Sequence, residues 1–244
     1  MDEKTPLIEV EDLSKTFGLL PVLRSVNFGV ARAETIMLLG QNGGGKTTLL
    51  RLLAGLSKPT TGAIRIGGWQ MPTEAMEVRR QIGLLSHQPL LYGNLSAREN
   101  LDFFGKLYGM AKDERAERIG ALLDQVGLAK RADSLARGFS RGMQQRLSIA
   151  RANLHQPEIL LLDEPFTGLD QAAAETLEGL VLSAQREERT LIIATHQLGR
   201  APTLAGRALI LSRGQIAFDG NIETMSAANL GELYTRVCNG AAMA

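Results

Sequence analysis

The strongest constraint in this chain is one short run, Gly40-Gln41-Asn42-Gly43-Gly44-Gly45-Lys46-Thr47. It fits the pattern G-x-x-x-x-G-K-[ST], and its flanks fit as well. Before it, Thr35 to Leu39 is continuously apolar, the mark of a strand buried on both faces of a parallel sheet. After it, Lys46 to Leu56 reads as a helix with Gly55 near its end. A strand, a glycine-rich turn and a helix in that order make a phosphate cradle. Glycines let the backbone wrap closely, so several N–H groups converge on one anion. Lys46 adds a cation, the Thr47 hydroxyl can ligate Mg²⁺, and the helix presents its positive N-terminal end to the phosphates.

The remaining pattern extends this unit. Leu7 to Leu13 and Val22 to Val30 alternate and read as strands. Ala63 to Ile66 is a further short strand after the turn Pro59-Thr60-Thr61-Gly62. From Ser96 to about His155 the character turns helical. Ser96 and Glu99 form a capping box, and helices are expected over Lys112 to Val126 and Arg141 to Leu154. Two more apolar runs follow, Glu158 to Leu162 and Leu191 to Ala194. Strands alternating with helices imply an α/β fold with a mostly parallel sheet. The helical stretch between buried strands reads as an inserted lobe.

The run ending at Leu162 delivers two acids, Asp163 and Glu164, at the strand end where open α/β sheets bind ligands. Asp163 can hold Mg²⁺ through water, and Glu164 is placed to orient or deprotonate an attacking water. Adjacent acids in a turn are ordinarily just solvated; the phosphate cradle gives this pair its meaning.

Composition excludes several alternatives. The chain has 244 residues and is 44% hydrophobic, enough for a large buried core. Lys plus Arg number 27 against 26 Asp plus Glu, so there is no global basic field and no nucleic-acid partner is expected. Cys238 stands alone, which rules out an internal disulfide and suits a reducing compartment. No apolar run reaches about 18 residues, and Met1 to Pro6 lacks an apolar core, so neither a membrane helix nor a signal peptide is expected. The expected location is the cytoplasm, with any membrane link made through a partner.

Taken together, the motifs resemble the ABC (ATP-binding cassette) ATPase family over roughly Leu7 to Asp219, in the family's order. The resemblance implies a phosphate-loop NTPase core with a mostly parallel sheet, an N-terminal antiparallel β subdomain and an inserted helical subdomain. It implies one domain, with core and β subdomain at about 1–88 and 156–225, the helical subdomain at about 89–155, and a C-terminal tail at about 226–244. It implies ATP and Mg²⁺ as ligands and ATP hydrolysis as the activity. Phe17 sits where the family stacks an aromatic on adenine. Gly40, Asn42, Gly43, Gly44, Gly45, Lys46, Thr47 and Thr48 would surround the phosphates. Thr47, Asp163 and Gln88 would hold Mg²⁺, and Glu164, His196 and Lys46 would be catalytic, with His196 sensing the γ-phosphate.

Phe139-Ser140-Arg141-Gly142-Met143-Gln144-Gln145-Arg146 resembles the family signature, which faces the nucleotide of the other protomer through Ser140 and Gly142. A homodimer or pseudo-dimer is therefore implied. Arg141 and Met143 depart from the usual Gly and Gln. Thr167-Gly168-Leu169-Asp170 matches a loop that touches the opposite protomer. The family's lining glutamine falls at His87 without a gap, and Gln88 follows. A neutral amide donates and accepts without titrating, which favours Gln88, whereas His87 would bring a pH-sensitive group.

The implied partners are integral membrane permease subunits, which would hold the chain at the cytoplasmic face of the inner or plasma membrane. Their docking groove would be lined by about His87 to Phe104, with Leu90, Leu91, Tyr92, Leu95 and Phe103. Three segments further resemble the haem exporter ATPases of cytochrome c maturation: Ser86-His87-Gln88-Pro89, Ser140 to Arg146, and Asp163 to Thr167 with Thr195-His196-Gln197. They imply haem export, with no direct haem ligand because there is no Cys-x-x-Cys-His. The alternatives are a similar motor for a drug, lipid or polysaccharide exporter, or a non-transport ABC ATPase. The last usually carries two cassettes, a coiled coil or a Cys pair, and this chain has none of these.

Overall fold

A computed structural model describes residues 6–86, 88–169 and 171–239. Its strands, in chain order, are β1 Ile8–Phe17, β2 Leu20–Val30, β3 Thr35–Gly40, β4 Thr61–Ile66, β5 Trp69–Met71, β6 Ile82–Leu85, β7 Ile159–Asp163, β8 Thr190–Thr195, β9 Arg207–Ser212 and β10 Gln215–Asn221. The helices are α1 Lys46–Leu53, α2 Ala75–Gln81, α3 Ala97–Leu107, α4 Lys112–Gln125, α5 Arg141–Ala152, α6 Gln171–Arg186, α7 Ala201–Leu204 and α8 Ala227–Cys238.

β1 and β2 form a hairpin that closes on the pair Phe17 and Leu20, across a left-handed Gly18 at φ 58°. With β4 and β5 they make a four-stranded antiparallel sheet in the order β2-β1-β4-β5. The second sheet has six strands in the order β10-β9-β3-β8-β7-β6. Five are parallel, and β10 returns antiparallel against β9. Every residue of β3, β7 and β8 is buried, which is why these segments are apolar without alternation.

Successive side chains of a strand point to opposite faces, and here each face feeds its own core. Ile36 and Leu38 of β3 pack with α1 and the antiparallel sheet, alongside Leu49, Leu53, Ile64 and Ile192. Met37 and Leu39 point the other way, into a cluster with Leu101, Ile119, Leu122 and Leu147 of the helical stretch and Leu177 of α6. The helical stretch thus shares its core with the sheet and does not build one alone. Full burial of each such side chain contributes about 1.5–3 kcal/mol, so the sheet and the helices stabilise one another.

The structure corrects several expected boundaries. The first hairpin is longer than the alternating runs alone imply. α1 stops at Leu53 rather than Leu56, because Gly55 turns left-handed at φ 66° and a Cβ there would lie 2.8 Å from Met71 Cε. α5 ends at Ala152 rather than Leu154, with Asn153 as its C-cap. The tail beyond residue 226 contains α8, capped by Ser226 and packed into the core through Leu230, Leu233 and Val237.

Candidate active site

The site forms where β3, β8 and β7 end side by side. β3 delivers Gly40 to the centre of the sheet, where an added Cβ would lie 2.6 Å from the Leu211 carbonyl oxygen. Gly45, left-handed at φ 102°, is the N-cap of α1, and no side chain caps that helix. By contrast Ser96, Ser140 and Ser226 cap α3, α5 and α8 with their hydroxyls. The first N–H groups of a helix need acceptors, and at α1 a bound anion would supply them. Lys46 is 5% exposed. Its ammonium donates to the carbonyls of Gly40 at 2.8 Å and Gln41 at 3.3 Å, and stands 3.4 Å from Glu164 Oε1.

β8 lies between β3 and β7, so its end brings the phosphate loop and the acids together. Asp163 pairs in register with Ala194. Glu164 takes a left-handed φ of 48° and its N–H donates to the Ala194 carbonyl at 2.8 Å. Glu164 Oε2 accepts from His196 Nδ1 at 2.9 Å, Thr195 Oγ1 at 3.1 Å and Thr167 Oγ1 at 3.4 Å. The first of these bonds requires Nδ1 to carry the imidazole proton. Burial raises the Glu164 pKa, but the His196 bond, the Lys46 charge and the Thr195 hydroxyl outweigh it and hold the carboxyl below its ordinary value. Glu164 Oε1 is buried without a hydrogen bond.

Thr47 Oγ1 donates to Asp163 Oδ1 at 3.1 Å. A hydroxyl beside a carboxylate is an oxygen pair that fits Mg²⁺ shared with substrate phosphates. Above the loop lies a cavity of about 510 Å³, lined by Val22, Gln41 to Thr48, Glu164, Thr167 and His196. Asn42, the three consecutive glycines, Lys46, Thr47, Thr48, Glu164 and His196 therefore meet at one place, with Gly40 beneath them.

Residues 23–167 match the ABC transporter family model. The ABC transporter ATP-binding protein NatA of Bacillus subtilis is 33% identical over 224 residues, which cover 90% of this chain and 91% of that protein. The chain belongs to the ABC transporter ATP-binding family. It is an ATPase. The bacitracin transport ATP-binding protein BcrA of Bacillus licheniformis is 38% identical, with 86% of this chain and 68% of that protein covered. The Nod factor export ATP-binding protein I of Ralstonia nicotianae is 31% identical, with 93% and 71% covered. Among solved structures, an ATP-binding subunit of an ABC transporter superposes with a TM-score of 0.88 at 32% identity, covering 95% of this chain and 99% of that one. A dimeric ATP-binding cassette in a post-hydrolysis state with ADP and Pi gives 0.81 at 27% identity, covering 88% and 98%.

Phe17, Gln88, Ser140 and Gly142, also expected in the site of this ATPase, do not line this cavity. Phe17 is 52% exposed at the hairpin end, with Lys15 Nζ 4.8 Å from its ring centroid. Val22 of the same hairpin lines the cavity rim. Gln88 lines an adjoining cavity with Arg141, Gln144, Glu164 and Thr167, so the two cavities share a wall at Glu164. His87 and Asp170 lie outside the described residues. Ser140 caps α5, accepting from the Met143 N–H at 3.3 Å. Neither Ser140 nor Gly142 lines the phosphate-loop cavity of its own chain. Sequence reasoning passes over Thr195, and a hydroxyl ending a buried strand directly before His196 is the signal that marks it.

A second, apolar groove of about 440 Å³ runs between α2 and α3, lined by Leu56, Met76, Leu90, Phe104 and Leu107 among others. Of the expected lining, Leu90 is there, and Tyr92 is 51% exposed with its ring edge-on to Phe103 at 4.9 Å. Leu91 packs against the core instead. The opposite wall comes from Leu56, Met76 and Arg79, outside the expected segment. Among the described residues, no helix is long and apolar enough to cross a membrane.

Proposed function

We propose that this ATPase is the motor subunit of a membrane exporter, that it works as a dimer, and that its cargo is not haem. The observation that carries the motor reading is the meeting of the glycine loop, Lys46, Glu164 and His196 around one cavity. In this reading the loop N–H groups and Lys46 hold the β- and γ-phosphates of ATP, and Phe17 stacks on the adenine. Thr47, Asp163 and Gln88 hold Mg²⁺, which when bound offsets phosphate charge. Glu164 orients the attacking water and takes its proton, and His196 contacts the γ-phosphate.

Ser140 and Gly142 stand apart from their own phosphate loop, which supports their closing on the nucleotide of a second copy. The dimeric state of a solved relative bound to ADP and Pi supports the same arrangement. The apolar groove between α2 and α3 would receive the permease, which would hold the motor at the cytoplasmic face of the membrane. The core and β subdomain at 1–88 and 156–225 would carry the chemistry, and the helical subdomain at 89–155 would turn with the partner.

The cargo reading follows the relatives. Proteins named for bacitracin transport, linearmycin resistance and Nod factor export match 86–93% of the chain, whereas the haem reading rests on three short segments. A strain carrying Glu164→Gln in this gene should keep covalent haem in its c-type cytochromes and lose tolerance to, or secretion of, an amphiphilic compound. Loss of c-type haem with b-type cytochromes intact would overturn the non-haem reading.

A further inference from the structure

We infer that Thr195 is a positioning residue for hydrolysis: it holds the Glu164 carboxylate in place once the cationic partners of that carboxylate turn to the phosphates. This rests on the reading of Glu164 as the group that orients water. Four side chains reach the carboxylate, and they differ in what ATP would do to them. Lys46, 3.4 Å from Oε1, and His196, 2.9 Å from Oε2, both line the phosphate cavity. A triphosphate competes directly for each of them. Thr167 is at 3.4 Å, a long contact from a half-buried turn.

Thr195 is held differently. It is 3% exposed. Its Oγ1 accepts the Gln197 N–H at 3.0 Å, which directs its single proton toward Glu164 Oε2 at 3.1 Å. It is the last residue of β8, in register with Leu39 of β3, the strand that runs into the phosphate loop. On the other side, the Glu164 N–H is bonded to Ala194. Backbone hydrogen bonds thus fix the hydroxyl relative to both the loop and the acid. The left-handed backbone at Glu164 is a conformation that persists only where its surroundings over-determine it, and this bond is one of the determinants. With Oε2 anchored, Oε1, which faces Lys46 in this structure, is the oxygen that a water would meet once Lys46 turns to the phosphates.

The test uses four variants of the full chain and ATP turnover. Thr195→Val keeps the shape and removes the hydroxyl; Thr195→Ser keeps the hydroxyl and removes the methyl. Thr195→Val should lower kcat on the order of 10- to 100-fold while nucleotide affinity stays within about twofold, and Thr195→Ser should restore most of the rate. A merely structural role would act independently of the acid. So the residual turnover of Glu164→Gln should be unchanged when Thr195→Val is added, because both act through one group. Wild-type kcat in Thr195→Val, or losses that multiply in the double variant, would overturn the inference while leaving Glu164 in its role. Wild-type turnover in Glu164→Gln alone would overturn the reading of Glu164 itself, and this inference with it.

Discussion

At the scale of single residues, the site is held by a competition for Lys46. Its ammonium is buried and already bonded to two carbonyls of its own loop and to Glu164. Phosphate oxygens would replace these partners with charge-assisted bonds, which are shorter and stronger than neutral ones. Lys46→Ala should therefore weaken ATP binding on the order of 10- to 100-fold and lower turnover further, measured by equilibrium titration with a fluorescent ATP analogue. Unchanged affinity would mean that the loop does not hold the phosphates through this residue. The identities of Lys46, Asp163, Glu164 and His196 are legible in the sequence, because each stands in a spaced motif beside a strand end. The bonds among them are not. Glu164 reaches Thr195 and His196 only because β8 is inserted between β3 and β7, a strand order that no local pattern encodes.

At the scale of elements, legibility follows the strength of the local signal. β3, β7 and β8 are continuous apolar runs because both faces are covered, and α3 announces itself by the reciprocal bonds of Ser96 and Glu99. β10 alternates exposed and half-buried positions but buries none fully, and Ala217 and Gly220 break the polar/apolar alternation in its sequence. β6 is four residues long, too short for a pattern. α8 does carry apolar positions at helical spacing, Leu230, Leu233 and Val237, but the strand that precedes it gives no clear end from which to read it. The helical stretch shares a core with the sheet, and this makes a stability prediction. Leu122 of α4 is fully buried in the cluster that contains Leu39 and Leu162. Leu122→Ala should destabilise the chain by about 2–5 kcal/mol in denaturant unfolding. The same cooperative transition should shift as a whole. Separate unfolding of the helical stretch with the sheet intact would contradict a shared core.

At the scale of the whole molecule, the arrangement makes one chain an incomplete machine. Its phosphate loop, Glu164 and His196 line a cavity, but the signature residues Ser140 and Gly142 do not line it. Two copies related by a two-fold axis would complete two sites at once, since each would lend its signature to the other. In the proposed dimer ATP would act as the adhesive, because the γ-phosphate would be contacted from both sides, and hydrolysis would remove it. The apolar groove between α2 and α3 would pass that closing and opening to a membrane partner. The most direct test is the oligomeric state of Glu164→Gln. This variant keeps the phosphate loop, Lys46 and Asp163, and lacks only the carboxylate proposed to orient water. Size-exclusion chromatography or sedimentation should find it dimeric with ATP and monomeric with ADP, with ATP turnover reduced roughly 100-fold or more. A variant that stays monomeric at saturating ATP, or one that hydrolyses at the wild-type rate, would contradict the account.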